Sequence, residues 1–225
     1  MKINFKKAKF IPSIFLVGIY IFMLMIFPYK VVIYFDINNI NLKNIVLLIS
    51  NIVSAVVIII FINKFKLNSL VTYRKKLRIN ELLINVVSGY FIIMITQFLV
   101  IIFFRYMGID FISENSISVA NYMKKYPVFM LYVLLIAPIL EELIFRRVIF
   151  GYLYDVIETN KEKYKFLISA VLSGFLFALP HDGIKPIMIV YILISIILSY
   201  FYKSTKNICV PILIHILINL TTIIY

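Results

Sequence analysis

Cysteine is almost absent from this sequence, which excludes one common way of stabilising a fold. The single cysteine among 225 residues, Cys209, cannot form an intramolecular disulfide. It has no histidine within its helical turn, so we expect an inert thiol. Internal repeats, heptad arrays and low-complexity linkers are also absent from the sequence. The chain is therefore neither a disulfide-stabilised domain nor a repeat protein.

Charge is scarce as well, while apolar residues are abundant. Only 15% of the residues are charged, whereas 63% are hydrophobic and 16% are aromatic. The mean hydropathy is +1.03. Because a soluble domain rarely exceeds about half apolar residues, this composition predicts an all-α, polytopic membrane protein. We expect residues 1–225 to form a single membrane domain.

Apolar stretches long enough to suggest membrane spans recur along the whole chain. A helix needs about 20 apolar residues to cross the hydrocarbon, and the first four stretches meet that length. The apolar run near the N-terminus is too long for a signal peptide and lacks a small-residue cleavage site, so we expect a retained helix. The segments 108–125 and 160–165 are expected to be connectors. The seven predicted spans are 10–29, 44–63, 82–104, 127–150, 166–181, 186–202 and 207–225.

The net charge of +13 arises from 23 basic and 10 acidic residues. In a soluble protein such an excess would suggest a nucleic-acid partner, but here the basic residues lie in short loops. Most of them fall at the N-terminus and in the loops after the second, fourth and sixth spans. The positive-inside rule therefore predicts a cytoplasmic N-terminus, and we expect no nucleic-acid partner.

Six ionisable residues and one asparagine stand out within or at the edge of the predicted spans. An ionisable group near the middle of a bilayer costs at least about 2–3 kcal/mol, so each is a candidate for function. Both histidines of the chain belong to this group, although a random scatter would more often place one in a loop. The group comprises Glu141, Glu142, Arg146, Arg147, His181, His215 and Asn219.

Spacing divides the charges of the fourth span. Glu142 and Arg146 are four residues apart, so they share a helical face and are expected to form a structural ion pair. Glu141 projects about 100° away from Glu142 and can point into a different cavity. Arg147 lies near the end of the span and is expected to extend its guanidinium to the membrane surface.

The later spans present their polar residues in pairs. His215 and Asn219 are four residues apart, so one helix presents an imidazole and an amide on the same face. Phe177 lies four residues before His181, and its ring is expected to form one wall of that site. Asp182 follows directly and is expected to be a solvated turn residue.

Prolines accompany each polar group, namely Pro138, Pro180 and Pro211. Proline inside a spanning helix removes a backbone hydrogen bond and kinks the helix. Three kinked helices beside three polar groups predict a hydrated cavity within the bundle. The alternative is that these prolines are simply tolerated, as proline often is in spanning helices.

Three short motifs resemble those of a known protein family. EELIFR (141–146), FALPH (177–181) and HILIN (215–219) match Glu-Glu-x-x-x-Arg, Phe-x-x-x-His and His-x-x-x-Asn. In this order, on successive helices, they resemble the CAAX protease and bacteriocin-processing family, which includes type II CAAX prenyl endopeptidases and bacterial Abi proteins. The resemblance covers roughly 127–225, and the first three spans match only as generic membrane helices.

The resemblance implies a hydrolytic site. Glu141 and His181 would activate a water, while His215 and Asn219 would stabilise the oxyanion. Glu142, Arg146 and Phe177 would support these groups.

The cofactor is expected to be either none or one divalent metal ion. If a metal is present, Glu141, His181 and His215 could bind zinc with an open position for water. The HExxH motif of common zinc proteases is absent from the sequence, and we favour a metal-free glutamate mechanism.

The family's activity predicts an intramembrane endopeptidase that cuts a membrane-associated peptide or protein. Abundant Ile, Lys and Asn suggest an AT-rich bacterial genome, and hence the plasma membrane of a bacterium. Since bacteria generally lack protein prenylation, leader or pheromone-peptide processing, or self-immunity against a bacteriocin, is expected instead. The alternatives are a non-catalytic immunity or interaction protein and a proton-coupled transporter, although no transporter-like repeat is visible.

The expected depths of Glu141 and His181 in the membrane do not favour a shared catalytic site. Counting about 1.5 Å per residue, Glu141 falls in the inner half of its helix, whereas His181 ends a helix near the outer face. A simple layout separates them by more than a hydrogen bond. Tilting, a kink at Pro180 or a fifth helix that starts below the membrane surface would be needed to bring them together.

Overall fold

The protein is a bundle of helices in the computed structural model, which describes residues 2–3, 10–65, 76–109 and 112–224. The predicted all-α class is confirmed. Two-residue strands β1 (Lys2–Ile3) and β2 (Ile157–Glu158) pair antiparallel. The first helix, α1, consists of three consecutive segments, Phe10–Ile21, the π-helical Phe22–Ile26 and Phe27–Tyr34. The others are α2 (Ile40–Lys64), α3 (Ile79–Tyr106), α4 (Glu114–Lys125), α5 (Val128–Val156), α6 (Glu162–Asp182), α7 (Met188–Thr205) and α8 (Cys209–Ile224).

Five of these helices, α2, α3, α5, α6 and α7, are long and apolar enough to cross a membrane. The chain is therefore a multi-pass membrane protein. The remaining predicted spans also coincide with helices, but α1 contains the π-helical segment and α8 is shorter. The basic loop at 66–75 lies outside the described residues, and the orientation stays a prediction.

The expectation that 108–125 is a plain connector is wrong, because α4 occupies most of it. Ser113 caps this helix: its hydroxyl accepts a hydrogen bond from the backbone N–H of Ser116 at 2.9 Å. Glu114 lies in the first turn, and two lysines lie in the last turn, where they complement the helix dipole. The segment 160–165 is also only partly a turn, since α6 begins at Glu162.

Asp182 is not the solvated turn residue that the sequence suggested. Its carboxylate accepts hydrogen bonds from the Ser113 hydroxyl at 2.7 Å, the Asn115 backbone N–H at 2.9 Å and the Tyr191 hydroxyl at 3.0 Å. These donors come from the start of α4 and from α7. Asp182 therefore joins α4 and α7 to the end of α6.

Prolines affect the helices less uniformly than predicted. Pro138 lies inside α5, two residues after the end of the π-helical segment Tyr132–Ile136, and Pro180 lies in the last turn of α6. Pro211 is the third residue of α8. Because the first turn of a helix has no intrahelical partner for its N–H groups, the predicted kink at Pro211 is wrong.

The charged helix α5 lies at the centre of the bundle. It packs against α1, α2, α4, α6, α7 and α8. Leu140, Ile144 and Phe145 are among its buried side chains. The charges of the fourth predicted span are consequently placed among other helices, where partners can reach them.

Small residues let α6 and α7 pack closely. A Cβ atom built on Gly174 would lie 3.2 Å from the Ile192 carbonyl oxygen and 3.3 Å from the Ser195 Cβ. Small side chains are the usual means of close helix packing in lipid. Further buried small residues of these two helices are Ser169, Ala170, Ser173 and Ala178 on α6 and Ser199 on α7.

We expect Gly174→Leu to lower the free energy of unfolding by about 3 kcal/mol or more, because the new side chain would force α6 and α7 apart. The measurement is the thermal unfolding midpoint of purified protein in detergent. Gly18→Leu is the matched control, since nothing lies within 4 Å of a Cβ built there. Equal midpoints for the two variants would contradict the close packing.

Candidate active site

Glu142 is the most completely buried acid of the site. Its side chain has 0% exposure, as does that of Arg146, whose Nε lies 3.0 Å from Glu142 Oε2. The ion pair predicted from their spacing is thus present. The other carboxylate oxygen, Oε1, accepts a hydrogen bond from His215 Nδ1 at 2.8 Å. The sequence did not indicate this second contact, which links α5 to α8.

Glu141, the preceding residue, has a different environment. Its side chain is 21% exposed and lines a cavity of about 320 Å³, called the main cavity below. Glu141 Oε2 lies 3.7 Å from His215 Nε2, which is too long for a hydrogen bond. The imidazole of His215 therefore lies between two carboxylates, one sealed from solvent and one facing the cavity.

Phe177 covers the charged groups from α6. The guanidinium carbon of Arg146 lies 4.4 Å from the centre of its ring, a distance typical of a cation–π contact. Within the described part of the chain, the guanidinium nitrogens have no well-aligned hydrogen-bond acceptor. Phe177 also packs edge-on against His215, with ring centroids 6.0 Å apart. The prediction that Phe177 forms a wall agrees with these contacts.

His181 lines the same cavity as Glu141. Within the described residues no hydrogen bond or ion pair joins Glu141 to His181, so they remain separated by more than a hydrogen bond while bordering one cavity. His181 Nδ1 lies 2.9 Å from the Phe177 carbonyl oxygen. Because a carbonyl can only accept, Nδ1 carries the proton, and Nε2 of a neutral ring keeps its lone pair.

Tyr191 is a site residue that the sequence analysis missed. Its ring stacks on His181 with centroids 4.4 Å apart and an angle of 31° between the planes. Its hydroxyl is held by Asp182. Nothing in its spacing distinguishes Tyr191 from the other tyrosines, because its role depends on the packing of α7 against α6.

Asn219 also lines the main cavity and donates a hydrogen bond from Nδ2 to the Val133 carbonyl oxygen at 2.9 Å. In the π-helical segment of α5, the N–H of Ala137 bonds to the carbonyl of Tyr132, five residues earlier. The same register would pair Val133 with Pro138, which has no N–H. Asn219 supplies the missing donor, and its second N–H remains available to the cavity.

The candidate metal ligands do not converge into a metal site. Among the residues that the structure describes, no group of three or more His, Cys, Asp or Glu side chains is arranged to hold a metal ion. Glu141, His181 and His215 share the main cavity but are not positioned as one ligand set.

The geometry, with two histidines, an accessible glutamate and an asparagine on one cavity, suggests a hydrolytic family, and comparison with known proteins agrees. Residues 124–221 match the family model of type II CAAX prenyl endopeptidase Rce1-like proteins. The family resemblance predicted from the three motifs is confirmed for this Rce1-like segment. All seven predicted catalytic and supporting residues fall within it.

Similar proteins occur in bacteria. The membrane-embedded CAAX protease MroQ of Staphylococcus aureus (strain USA300) is 38% identical over 132 residues, which cover 58% of this chain and 53% of that protein. The putative membrane peptidase YdiL of Bacillus subtilis (strain 168) is 31% identical over 134 residues, covering 59% of this chain and 52% of that protein. The chain thus spans about half the length of these curated relatives. No solved structure matches it significantly.

The two adjacent glutamates should differ sharply in their effect on stability. We expect Glu142→Gln to lower the free energy of unfolding by about 3–5 kcal/mol, because it leaves the charge of Arg146 buried and unpaired. Glu141→Gln, whose side chain is partly exposed, should change it by less than about 1 kcal/mol. Thermal unfolding of both variants in detergent provides the measurement.

A double variant tests the cause of this difference. Glu142→Gln combined with Arg146→Met removes both charges, so it should recover most of the lost stability. If the double variant were as unstable as the sum of the single variants, the ion pair would not explain the effect.

Proposed function

We propose that this chain is a membrane protease that hydrolyses a peptide bond inside the main cavity. The observation that carries the proposal is the position of His215 between Glu141 and Glu142, in a cavity that His181 and Asn219 also line. The names of the relatives and the Rce1-like match point to the same activity.

Glu141 would act as the general base that activates water. Water can reach it, since its side chain is partly exposed to the cavity, whereas Glu142 is sealed. His181 presents an unprotonated Nε2 when neutral, because its Nδ1 donates to Phe177. A water between Glu141 and His181 would therefore meet two acceptors and could lose its proton as it attacks the peptide carbonyl.

His215 and Asn219 would stabilise the tetrahedral oxyanion. Asn219 keeps one N–H free after bonding to Val133. His215 already donates from Nδ1 to Glu142, so donation from Nε2 requires the doubly protonated ring. His215 would thus act as an imidazolium that Glu142 orients and that also lies next to the carboxylate of the general base, Glu141.

The substrate would be a membrane-associated peptide or protein in the plasma membrane of a bacterium. Its cleavage site would enter the main cavity from the lipid or from a hydrated opening. Prenylated CAAX sequences are not expected in bacteria, so peptide processing or bacteriocin immunity is the proposed biological context. The N-terminus would lie in the cytoplasm, following the distribution of basic loops.

The catalytic roles predict large losses of activity. Glu141→Gln, His181→Ala and His215→Ala should each lower the cleavage rate by about 100- to 10,000-fold, and Asn219→Ala by about 100-fold. Substrates are found by comparing new peptide termini in membranes of cells that express the wild type or Glu141→Gln. Rates are then measured on a synthetic peptide that spans the identified site.

Each variant is compared at equal membrane abundance. Glu114→Gln is the control, since Glu114 is an exposed glutamate that pairs with Lys185. Cleavage that persists in Glu141→Gln, His181→Ala and His215→Ala would refute the protease proposal.

Metal dependence is a separate prediction. We expect purified protein to contain less than one equivalent of zinc and to keep its activity after treatment with a chelator, because the proposed base is a carboxylate. Metal analysis and activity before and after chelation provide the measurement. One bound zinc, whose removal abolishes cleavage and whose return restores it, would replace the glutamate mechanism with a metal-dependent one.

A further inference from the structure

A second cavity lies beside the main cavity, between α1, α2 and α5. Its volume is about 190 Å³, and we call it the α2 cavity. Two asparagines of α2, Asn44 and Asn51, line it. Phe129 and Tyr132 of α5 line both cavities, so the two spaces meet at these rings.

Both asparagines are more than nine-tenths buried, with exposures of 6% and 9%. Asn44 Oδ1 accepts a hydrogen bond from the Tyr122 hydroxyl at 2.7 Å, whereas its Nδ2 has no partner among the described residues. Asn51 Oδ1 likewise has none in the part of the chain that the structure describes. The two asparagines that line the α2 cavity thus carry one unused donor and one unused acceptor, both on buried atoms that a ligand would reach when the amide groups rotate toward the cavity.

Unused amide groups of this kind destabilise a membrane helix. A buried polar group without a partner costs about 1–3 kcal/mol, and polar residues inside a membrane protein commonly mark functional pathways. Packing alone does not account for them, because leucine would fill similar space at lower cost. A ligand that forms hydrogen bonds with both Asn44 and Asn51 would account for these residues.

The chemistry of the two groups restricts the class of ligand. An anion would be repelled by the Asn51 carbonyl oxygen, and a cation has no acceptor to offer the Asn44 amide. No charged residue is among the described residues that line the α2 cavity. The ligand should therefore be neutral and carry both a carbonyl oxygen and an N–H group.

A peptide backbone in extended conformation fits this requirement. Seven residues separate Asn44 from Asn51, which places them on nearly the same face of α2 with a rise of about 10.5 Å. An extended chain advances about 3.3 Å per residue, so about three residues of a peptide cover that rise. One carbonyl could accept from Asn44, and one N–H further along could donate to Asn51.

We propose that the α2 cavity binds the backbone of an extended peptide segment next to the scissile bond of the substrate. The proposal rests on the proposed protease function for the identity of the peptide. The peptide would pass from the main cavity beside Phe129 and Tyr132 and lie along α2. Recognition through backbone groups would tolerate many side chains.

The test uses photo-cross-linking, which needs no cleavage. The probe is the neutral peptide acetyl-Leu-Ala-Leu-Ala-Leu-amide with a diazirine on its first residue, added to purified Glu141→Gln protein in lipid nanodiscs. We expect adducts on α2 near Leu47 and Leu48, which line the α2 cavity. Adding Asn51→Leu should lower their yield about tenfold, the effect of losing one buried hydrogen bond.

Asn41→Leu is the matched control, since Asn41 lies on the same helix but is exposed. It should leave the adduct yield unchanged. The thermal unfolding midpoint of Asn51→Leu should stay equal or rise, since an unpaired buried amide is replaced by an apolar group. A loss of adducts in a protein of undiminished stability then reports binding and not unfolding.

Ester analogues of the probe identify the bonded group. Five analogues, each with the N–H of one residue replaced by oxygen, remove the backbone donors of the five residues one at a time. At least one should cross-link about tenfold less to Glu141→Gln, with no further loss in the protein that also carries Asn51→Leu. Equal yields with and without Asn51→Leu, or equal losses in Asn41→Leu, would overturn the proposal.

Cleavage measurements separate the two proposals. If the protein is a protease and the α2 cavity binds its substrate, Asn51→Leu should raise KM about tenfold while leaving kcat nearly unchanged. Adducts without any detectable cleavage would refute the protease function and leave the peptide site standing. Normal cleavage by Asn51→Leu together with unchanged adducts would refute the peptide site and leave the protease function standing.

Discussion

The guanidinium of Arg146 and the carboxylate of Glu142 lie 3.0 Å apart without any exposed surface. Moving two such charges out of water costs several kcal/mol each, and contacts to the remaining surfaces of the pair offset part of this cost. Phe177 from α6 covers the guanidinium, and His215 from α8 donates to the free carboxylate oxygen. The ion pair therefore requires three helices to meet at one point, which places the charged helix α5 in the centre of the bundle.

Burial explains how two adjacent glutamates can have different tasks. Glu142 is sealed and already has two partners, so a reacting water cannot reach it. Glu141 turns away by about one quarter of a helical turn and lines the cavity with part of its surface exposed. The buried acid fixes the ring of His215, and the ring in turn lies beside the accessible acid. In the proposed mechanism, the ion pair of Glu142 and Arg146 thus holds the imidazole of His215 beside the reacting groups. The pair itself takes no part in proton transfer.

The sequence was sufficient to select candidate site residues, because polar side chains are conspicuous in an apolar span, and their catalytic roles stay predictions. Both histidines, Asn219 and Glu141 were found in this way, and they share one cavity. The contact between Glu142 and His215 was not predicted, since it depends on how α5 and α8 pack.

Other features of the structure were not predicted from the sequence, for different reasons. Capping signals for α4 were present at Ser113 and Glu114 but lay in a segment interpreted as a connector. Asn44 and Asn51 lie inside a predicted span at a spacing that places them on one face. They were not among the candidates, which were chosen mainly for being ionisable. Tyr191 gave no signal at all, because only tertiary packing brings its ring onto His181.

The π-helical segments show how the bundle joins its helices without further buried charges. Each contains a backbone carbonyl that accepts a hydrogen bond from a side chain of another helix. Ser54 of α2 donates to Met23 in α1 at 3.0 Å, and Ser173 of α6 donates to Phe145 in α5 at 2.8 Å. Asn219 does the same for Val133.

A π-helical turn changes the usual pairing of backbone groups, and in a membrane a free carbonyl must find a protein donor. The segments on α5 lie immediately before and after Pro138–Glu141, so the cross-helix bonds hold α5 on both sides of the proposed base. Neutral donors of this kind fix the position of Glu141 while leaving its carboxylate free to accept a proton, which a second buried ion pair at the same place would prevent.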